Sequence, residues 1–302
     1  MPHSGDIAAL MLAALFLPLI DGWLAEAATK PAPSRDVGYI ERIAGDIKDI
    51  RIDRDGKSMQ PAILLPLRVD DRVFLKRGSE LYLQLGNRRV VIAEKDSPYR
   101  VPPVEAPPAF LTRLRSTLMS LGGKLTSQYV RSSVPVSTSS RGHEGPLSMP
   151  VVENDVSRFA SHRMTIHLAW EGGTAPFAVQ VLSGEGRPLA TQESIHEWRL
   201  ELPWPPGGIR EGPARIVVED SAGRRISKQI NLVPVHSVPA RVPQGDLPPT
   251  IHAVIAADQL IQTNRRQWGF EAYQDLAPLA GSYEPARLLR DCLEAIPSCY
   301  QR

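Results

Sequence analysis

Alternating apolar and polar residues mark a first β-rich stretch at residues 36–101. Residues 81–85 (LYLQL) alternate strictly, and a period of two predicts a half-buried strand. Asp55-Gly56 and Gly86-Asn87 separate apolar runs in the way that tight hairpin turns do. We therefore predict five to seven short strands here, arranged as a small sandwich or barrel-like β domain.

A second β-rich stretch covers residues 151–235. Residues 164–170 alternate, residues 177–182 form another apolar run, and residues 215–233 fold around the turn residue Gly223. Turn signals spaced by about 8–12 residues predict an immunoglobulin-like or fibronectin-like sandwich. We expect Trp170 to lie in its core, since large aromatic side chains dominate such cores.

The apolar spacing becomes helical in two other regions. Residues 110–121 predict a helix that ends at Gly122-Gly123 and is followed by a Ser/Pro/Gly-rich linker, together spanning residues 102–150. Its polar side is basic, so a membrane-surface helix is an alternative to the favoured packing against a neighbouring domain. A Pro-rich linker at residues 236–250 then leads to a helical tail at residues 251–302. The fold class expected is mainly β, with a short C-terminal helical region.

An apolar segment near the N-terminus predicts export. Residues 7–20 have the length of a signal-peptide core, and Asp21 interrupts them before the roughly 20 apolar residues that a spanning helix needs. Small residues precede a cleavage site between Ala27 and Ala28, so we predict a signal peptide over residues 1–27. After cleavage we expect no stable membrane span. The alternative is an uncleaved membrane anchor.

The charge balance narrows the class of partner. The chain of 302 residues has 35 basic and 33 acidic residues, a formal net charge of +2. Removal of residues 1–27 takes away three acids and no Lys or Arg, which gives 35 − 30 = +5. Such a balance does not favour nucleic acid as the partner. The 28 prolines suit short strands and linkers.

Residues able to coordinate metals are scattered along the sequence. His162, His167 and His196 occur singly, whereas catalytic zinc needs three ligands that converge. The loop that begins at Asp53 has Leu64 where an EF-type calcium loop requires a bidentate glutamate. We therefore predict no metal-binding residue and interpret the three histidines as structural.

Motifs of known enzyme classes are missing from the sequence. We find no nucleophile elbow, no phosphate-binding glycine loop and no dinucleotide-binding fingerprint. The acidic pairs Asp70-Asp71 and Glu219-Asp220 are predicted to be solvated turn residues, because a hydrolase dyad requires carboxylates that face each other at a set distance. We therefore predict a protein that is not an enzyme and has no catalytic residue and no cofactor.

Cys292 and Cys299 are the only cysteines, and their pairing is a separate question. In a continuous helix they would lie about 10.5 Å apart, too far for a disulfide. Pro297 can end the helix and let the chain fold back, and an even number of cysteines in an exported protein favours a disulfide between them. Two free thiols and an intermolecular bridge are the alternatives.

One ordered set of residues in the first β-rich stretch has a counterpart in a known family. The set is Gly38 and Gly45, then Leu67, Asp71-Arg72-Val73, residues 78–85 and Val90-Val91-Ile92. This order resembles the FecR-type periplasmic β domain. The family often has glycine just before the residue matched by Asp71, where this chain has Asp70. The resemblance implies a periplasmic location and no catalytic residues. The second stretch, around Trp170, resembles bacterial immunoglobulin-like modules.

The favoured functional hypothesis is a non-enzymatic, exported envelope protein. Its FecR-like and immunoglobulin-like modules would serve for binding, sensing or scaffolding in the periplasm, with an envelope protein or a glycan as partner. Because the chain is expected to begin with an export signal, we do not expect direct anti-sigma activity. The alternatives are a membrane-anchored signal-transduction regulator and an envelope glycan or peptide hydrolase without a recognisable motif.

Overall fold

The computed structural model of the protein describes residues 36–105, 108–133, 145–204, 211–239 and 247–295. All of them belong to one compact unit. The prediction of a mainly β protein is confirmed, with four sheets, 37% strand and 30% helix. The expected signal peptide at residues 1–27 and the expected cleavage site between Ala27 and Ala28 lie outside the described residues. None of the helices in the described ranges combines the length and the apolar character that a membrane span requires.

The first β module consists of two four-stranded antiparallel sheets. Its strands are β1 (Asp36–Ala44), β2 (Ile50–Arg54), β3 (Lys57–Met59), β4 (Pro66–Arg68), β5 (Arg72–Leu75), β6 (Glu80–Leu85), β7 (Arg88–Ala93) and β8 (Tyr99–Arg100). One sheet has the order β4-β1-β6-β7 and the other β3-β2-β5-β8. Eight strands exceed the five to seven expected, because β3, β4 and β8 are too short to show a period.

The turns of this module adopt the conformations that their residues favour. Asp55 and Gly56 have φ of 50° and 76° between β2 and β3, so both occupy the left-handed region used by tight hairpin turns. Asp70 has φ of 70°. Aspartate tolerates this region better than branched side chains do, and glycine enters it freely. The position before Asp71 therefore has a backbone that favours glycine.

Two helices follow the first β module and pack against it. They are α1 (Ala109–Arg113) and α2 (Arg115–Ser133). Helix α2 packs on β4, and Leu118 and Leu121 are buried. The packing of this region against a neighbouring domain is therefore confirmed, in preference to exposure at a membrane surface.

The prediction that the helix ends at Gly122-Gly123 is wrong. Helix α2 continues through both glycines to Ser133, so residues 127–133 are helical although they were expected to be linker. A Cβ atom at Gly122 would lie 2.0 Å from the carbonyl oxygen of Ile63. Glycine at this position therefore permits a close approach between α2 and the first β module, instead of ending the helix.

The second β module is a seven-stranded sandwich. Its strands are β9 (Arg158–Ala160), β10 (Thr165–Ala169), β11 (Phe177–Ser183), β12 (Pro188–Ile195), β13 (Arg199–Pro203), β14 (Gly212–Asp220) and β15 (Arg225–Val233). The larger sheet has the order β12-β11-β14-β15-β9 and the smaller one pairs β10 with β13. Only β9 pairs in parallel, with β15, among these described strands. The predicted immunoglobulin-like or fibronectin-like sandwich is confirmed.

The C-terminal helices are α3 (Pro249–Leu276) and α4 (Glu284–Glu294). Asn264 interrupts α3 with a non-helical φ of −167° and ψ of 97°. Its side-chain oxygen accepts a hydrogen bond from the Gln267 N–H at 3.2 Å, so it caps the second half of α3 as an N-cap residue does. The two halves of α3, with α4, account for the helical segments expected from the sequence.

The C-terminal helices lie between the two β modules and contact both. Helix α3 packs on β9 and β10, whereas α4 packs on α3, α2 and β1. The apolar side of α4 is buried through Leu288, Leu289 and Leu293. These helices therefore bury their apolar faces inside the same chain, and α4 is the element that joins the first β module to the second.

Candidate functional site

The candidate site residues from the sequence do not come together. Within the described part of the chain, no group of three or more His, Cys, Asp or Glu side chains is placed to hold a metal ion. His167 is only 8% exposed on β10, whereas His196 is exposed between β12 and β13. Cys292 is buried on α4 at 1% exposure. Cys299 lies outside the described residues, so its disulfide with Cys292 stays a prediction.

Trp170 belongs to the core of the second β module. Its side chain is 2% exposed, and its ring packs edge-on to Phe177 at a centroid distance of 5.4 Å. Phe177 in turn packs edge-on to Trp198 at 5.7 Å. The expectation of a core tryptophan is confirmed, and this aromatic row stabilises the sandwich through burial and edge-to-face contact.

Each of the two acidic pairs contains one exposed and one buried carboxylate. Asp70 has a side chain that is 62% exposed, whereas Asp71 is 2% exposed. Glu219 is exposed and Asp220 is 4% exposed. The prediction that these residues are solvated is therefore wrong for Asp71 and Asp220. Each acidic pair lies where the chain turns next to a strand. In each pair the second residue, Asp71 or Asp220, points its side chain inward to hydrogen-bond donors.

Asp220 organises the turn between β14 and β15. Its carboxylate accepts hydrogen bonds from the backbone N–H groups of Thr174 at 3.0 Å and Arg224 at 2.8 Å. The Arg224 guanidinium also donates, at 2.7 Å. Burial would raise the pKa of Asp220, but these donors outweigh it and the pKa lies below its usual value. The pair therefore has a structural role within the turn.

The buried polar groups concentrate where α3 meets the second β module. Glu271 is fully buried and accepts hydrogen bonds from the Ala160 N–H at 3.0 Å and from Arg163 Nη2 at 2.6 Å. Asp275 binds the same guanidinium at 2.9 Å. Burial would lower the pKa of Arg163, but the charges and hydrogen bonds of Glu271 and Asp275 raise it above its usual value. This ion pair fixes α3 to the loop between β9 and β10.

Gln274 provides a second polar link at the same junction. Its side-chain oxygen accepts from the His167 N–H at 2.7 Å, and its side-chain nitrogen donates to the His167 carbonyl at 3.0 Å. The amide therefore bonds to the open side of β10 in the way that a neighbouring strand would. Unpaired backbone groups at a buried edge are costly, so this contact also protects β10.

Helix α4 has an anchor at each end. At its beginning, Tyr283 is buried beside Tyr39 of β1, and both side chains are at most 5% exposed. Burial is the main reason why the pKa of Tyr39 rises to about 12. At its end, Glu294 accepts from Arg199 Nε of β13 at 3.0 Å and from the Tyr273 hydroxyl at 2.9 Å. One helix of 11 residues therefore contacts β1 of the first module and β13 of the second.

Glu271, Gln274 and Tyr283 have no role that was predicted from the sequence. A usable signal was present, because Glu271, Gln274 and Asp275 interrupt the apolar run of residues 268–276. Polar residues three positions apart lie on the same face of a helix. Two polar side chains within an apolar helical segment therefore indicate a buried hydrogen-bonded contact with another element.

His167 gives a prediction about pH. Burial lowers its pKa below 6.5, with an opposing contribution from Glu201 and a supporting one from Arg163. The unfolded chain takes up a proton near pH 6.5 while the folded chain stays neutral at this residue. We therefore expect its contribution to stability to be lost as the pH falls from about 6.5 to the folded pKa.

The measurement is the free energy of unfolding in urea at about pH 7.5 and about pH 5.5. In His167→Gln, the free energy of unfolding should decrease less between these two pH values than it does in the wild type. His196→Gln is the matched control, because His196 is exposed, and it should leave the loss unchanged. Equal pH dependence in wild type and His167→Gln would contradict the prediction.

Comparison with known proteins finds distant similarities to solved structures. No protein-family model matches this chain, and no curated protein matches it. The crystal structure of CopC from Methylosinus trichosporium OB3b is 17% identical, with 26% of this chain and 84% of that chain covered and a TM-score of 0.21. The BSP domain of a biofilm associated protein is 12% identical, with 64% and 32% covered and a TM-score of 0.26.

A third solved structure, described as a protease, is 11% identical, with 38% of this chain and 28% of that chain covered and a TM-score of 0.23. This chain thus spans about a third of the BSP-domain structure and less of the protease. At these TM-scores the likenesses carry no conclusion about function.

Proposed function

We propose that this chain is a non-enzymatic exported protein of the cell envelope, in which two β modules form one rigid binding or scaffolding platform. The observation that carries the proposal is the position of α4. This helix packs on β1 and α2, and its last residue, Glu294, is paired with Arg199 of β13. A chain of independent modules has no need of an element that is anchored in both.

The contacts that anchor α3 and α4 resist movement of the two β modules relative to each other. Tyr283, Tyr39 and Tyr273 are buried aromatic residues with 5% exposure or less, and buried residues of this size contribute several kcal/mol each. Glu271 and Asp275 fix α3 through the Arg163 guanidinium. Interfaces between modules are mobile by default unless they are large and apolar. The apolar faces of α3 and α4 supply that property here.

For the first β module we propose a FecR-like domain. Its hairpins and the segment that begins at Asp71 occupy strands β5 to β7 as the resemblance implies. Asp70 stands where the family often has glycine, and its φ of 70° is the conformation that glycine favours. This backbone feature supports the match between Asp71 and the family residue. Binding of an envelope protein or a glycan, without catalysis, is the corresponding role.

Export and location have a direct test. The tagged chain is expressed in a Gram-negative host, the cells are fractionated, and the mass of the recovered chain is measured. We expect recovery from the periplasmic fraction with Ala28 as the first residue. Recovery from the cytoplasmic fraction with residues 1–27 retained would overturn the proposal. Retention of those residues in the membrane fraction would favour the anchored regulator instead.

The rigid relation of the two modules has a separate test. Spin labels are placed through Lys57→Cys at the start of β3 in the first module and Glu185→Cys in a turn of the second, both exposed positions. The labelled chain is diluted with unlabelled chain, and the distance distribution is measured by pulsed electron paramagnetic resonance. We expect one narrow distribution, which Tyr283→Ala broadens. Tyr283→Phe keeps the ring and should leave it narrow, whereas a broad distribution in the parent would contradict the proposal.

The non-enzymatic part of the proposal is tested on envelope glycan. The purified chain should release no soluble fragment from peptidoglycan, with a known hydrolase as positive control. Release that disappears when one carboxylate of this chain is substituted would overturn this part and favour the hydrolase alternative.

A further inference from the structure

Strand β7 is less protected than the sheet edges formed by β3, β4, β8, β9, β10 and β12. Helix α2 packs on β4, helix α3 packs on β9, and Gln274 bonds to the open side of β10. Strands β3 and β8 are only three and two residues long. Strand β12 begins with Pro188 and its register along β11 shifts twice. These are the usual ways in which proteins prevent edge-to-edge pairing.

Strand β7 is long, regular and exposed. It pairs with β6 over six residues, from Leu85 opposite Arg88 to Glu80 opposite Ala93, with no register shift. Its first two residues, Arg88 and Arg89, are exposed, and Val91 is 50% exposed. A regular edge strand with β-branched residues and an open side is a template for a further strand.

The direction of the backbone groups on β7 can be deduced from one hydrogen bond. The Ala93 N–H donates to Asp96 Oδ2 at 3.0 Å, so it points away from β6. In an antiparallel pair the backbone groups alternate between the partner and the opposite side. The N–H and C=O groups of Arg89 and Val91 therefore also point to the open side, while those of Arg88, Val90 and Ile92 face β6.

The charges around β7 are complementary to a second copy of the same strand. Arg88 is exposed where β7 begins, and Glu94 is exposed where it ends. In an antiparallel pair of two identical strands, the basic beginning of each lies beside the acidic end of the other. We propose that β7 pairs antiparallel with β7 of a second copy of this chain, which joins two four-stranded sheets into one continuous sheet.

The register between the two β7 strands follows from the backbone groups that point to the open side. The N–H and C=O groups of Arg89 and Val91 must each face a hydrogen-bonding residue of the second copy. A two-fold axis at Arg89 would place Val91 of each copy opposite Asn87 of the other, in the turn that precedes β7, so Val91 would lack a strand partner. An axis at Val91 would pair Arg89 with Ala93, whose N–H is already bound to Asp96.

A two-fold axis at Val90 gives the outward N–H and C=O groups of Arg89 and Val91 hydrogen-bond partners in the second copy. Arg89 of each copy then exchanges both hydrogen bonds with Val91 of the other. The two Val90 side chains lie directly opposite, as a β-branched cross-strand pair. Arg88 lies diagonally across from Glu94 of the second copy, within reach of long side chains. The contact is isologous, as in most homodimers.

The register is tested by cross-linking of the full chain. The two Val90 residues form a non-hydrogen-bonded pair with Cα atoms about 4.5 Å apart, within the range of a disulfide. Val90→Cys should therefore form a covalent dimer on mild oxidation, seen on a non-reducing gel. Val91→Cys is the matched control and should not exceed the parent chain, because each Val91 lies opposite Arg89. Equal cross-linking of both variants would overturn the register.

The association itself is tested by sedimentation over a range of protein concentrations. The parent chain should show a monomer–dimer equilibrium. Val91→Pro removes one outward donor from each copy and leaves the bonds to β6 intact, so the dissociation constant should rise about tenfold or more. Val91→Thr retains the donor and the β-branched shape and should preserve the dimer. Thermal unfolding shows whether each variant is folded.

The charge pair gives a test that does not alter the backbone. Arg88→Glu should weaken the dimer, because it places two acidic groups together, and Arg88→Glu with Glu94→Arg should restore it. Failure of restoration would overturn the pairing of Arg88 with Glu94. A parent chain that stays monomeric at every concentration would overturn the proposal itself. Capture of a strand from another protein, without self-association, would also overturn it.

Discussion

Glu271→Ala is expected to lower the free energy of unfolding by about 3–5 kcal/mol, because it removes one partner of a buried ion pair. Glu271 has 0% exposure, and the side chain of Arg163 is 17% exposed. Without this carboxylate, the guanidinium keeps Asp275 and a 3.5 Å contact with the backbone carbonyl of residue 271, and the Ala160 N–H loses its acceptor. An unsatisfied buried donor alone costs about 1–3 kcal/mol. The measurement is urea unfolding followed by tryptophan fluorescence.

The matched control is Glu185→Ala, which also removes a carboxylate that is paired with arginine. The side chains of Glu185 and Arg187 are 70% and 81% exposed, so this pair contributes at most about 1 kcal/mol. A further variant, Glu271→Ala with Arg163→Met, should recover part of the loss because it removes the uncompensated charge. A loss for Glu271→Ala as small as that for Glu185→Ala would contradict the prediction.

Asp71→Ala is expected to lower the free energy of unfolding by about 3 kcal/mol. The Asp71 carboxylate accepts from Arg54 Nε at 2.9 Å, from Arg54 Nη2 at 2.7 Å and from the Arg68 N–H at 2.8 Å. The Arg54 side chain is 11% exposed, so its charge would be left largely desolvated. The measurement is urea unfolding followed by far-ultraviolet circular dichroism.

The neighbouring residue provides the control. Asp70→Gly removes an exposed ion pair with Arg100 and suits the φ of 70°, so we expect a change within about 1 kcal/mol. A decrease for Asp70→Gly as large as that for Asp71→Ala would show that the turn, rather than the buried carboxylate, determines stability.

Asp71→Ala also reports on the link between the two β modules. The tryptophans among the described residues are Trp170 and three that follow it, so fluorescence follows the second β module and the C-terminal helices. If α4 holds both modules in one cooperative unit, the fluorescence transition should shift together with the dichroism transition. Separate transitions would show that the modules unfold independently.

Much of the fold could be predicted from the sequence, because its signals are local. Strict alternation at residues 81–85 predicts β6, and the Asp55-Gly56 turn follows from the conformations that these two residues accept. The immunoglobulin-like or fibronectin-like sandwich follows from turn spacing, and the helical period identifies α3 and α4. Strand β9 was missed because it has three residues, which cannot show a period.

The role of single polar residues could not be predicted in the same way. Asp70 and Asp71 are adjacent and chemically identical, yet one is exposed and the other is buried against Arg54. The difference depends on which side of the turn faces the core, and Arg54 is 17 residues away in the sequence. Glu219 and Asp220 differ for the same reason. The local sequence does not show which residue, far away along the chain, a polar side chain will contact.

The two β-rich stretches, their hairpin turns and the helical tail follow from local sequence, because periodicity and turn chemistry act between near neighbours. The packing of the folded chain, in contrast, is what makes α4 join the two modules, makes Gly122 a contact point instead of a helix end, and leaves β7 open. Those features depend on contacts between residues far apart in the chain, such as Tyr39 with Tyr283 and Ile63 with Gly122. Burial and close approach are properties of packed elements, and no single segment contains them.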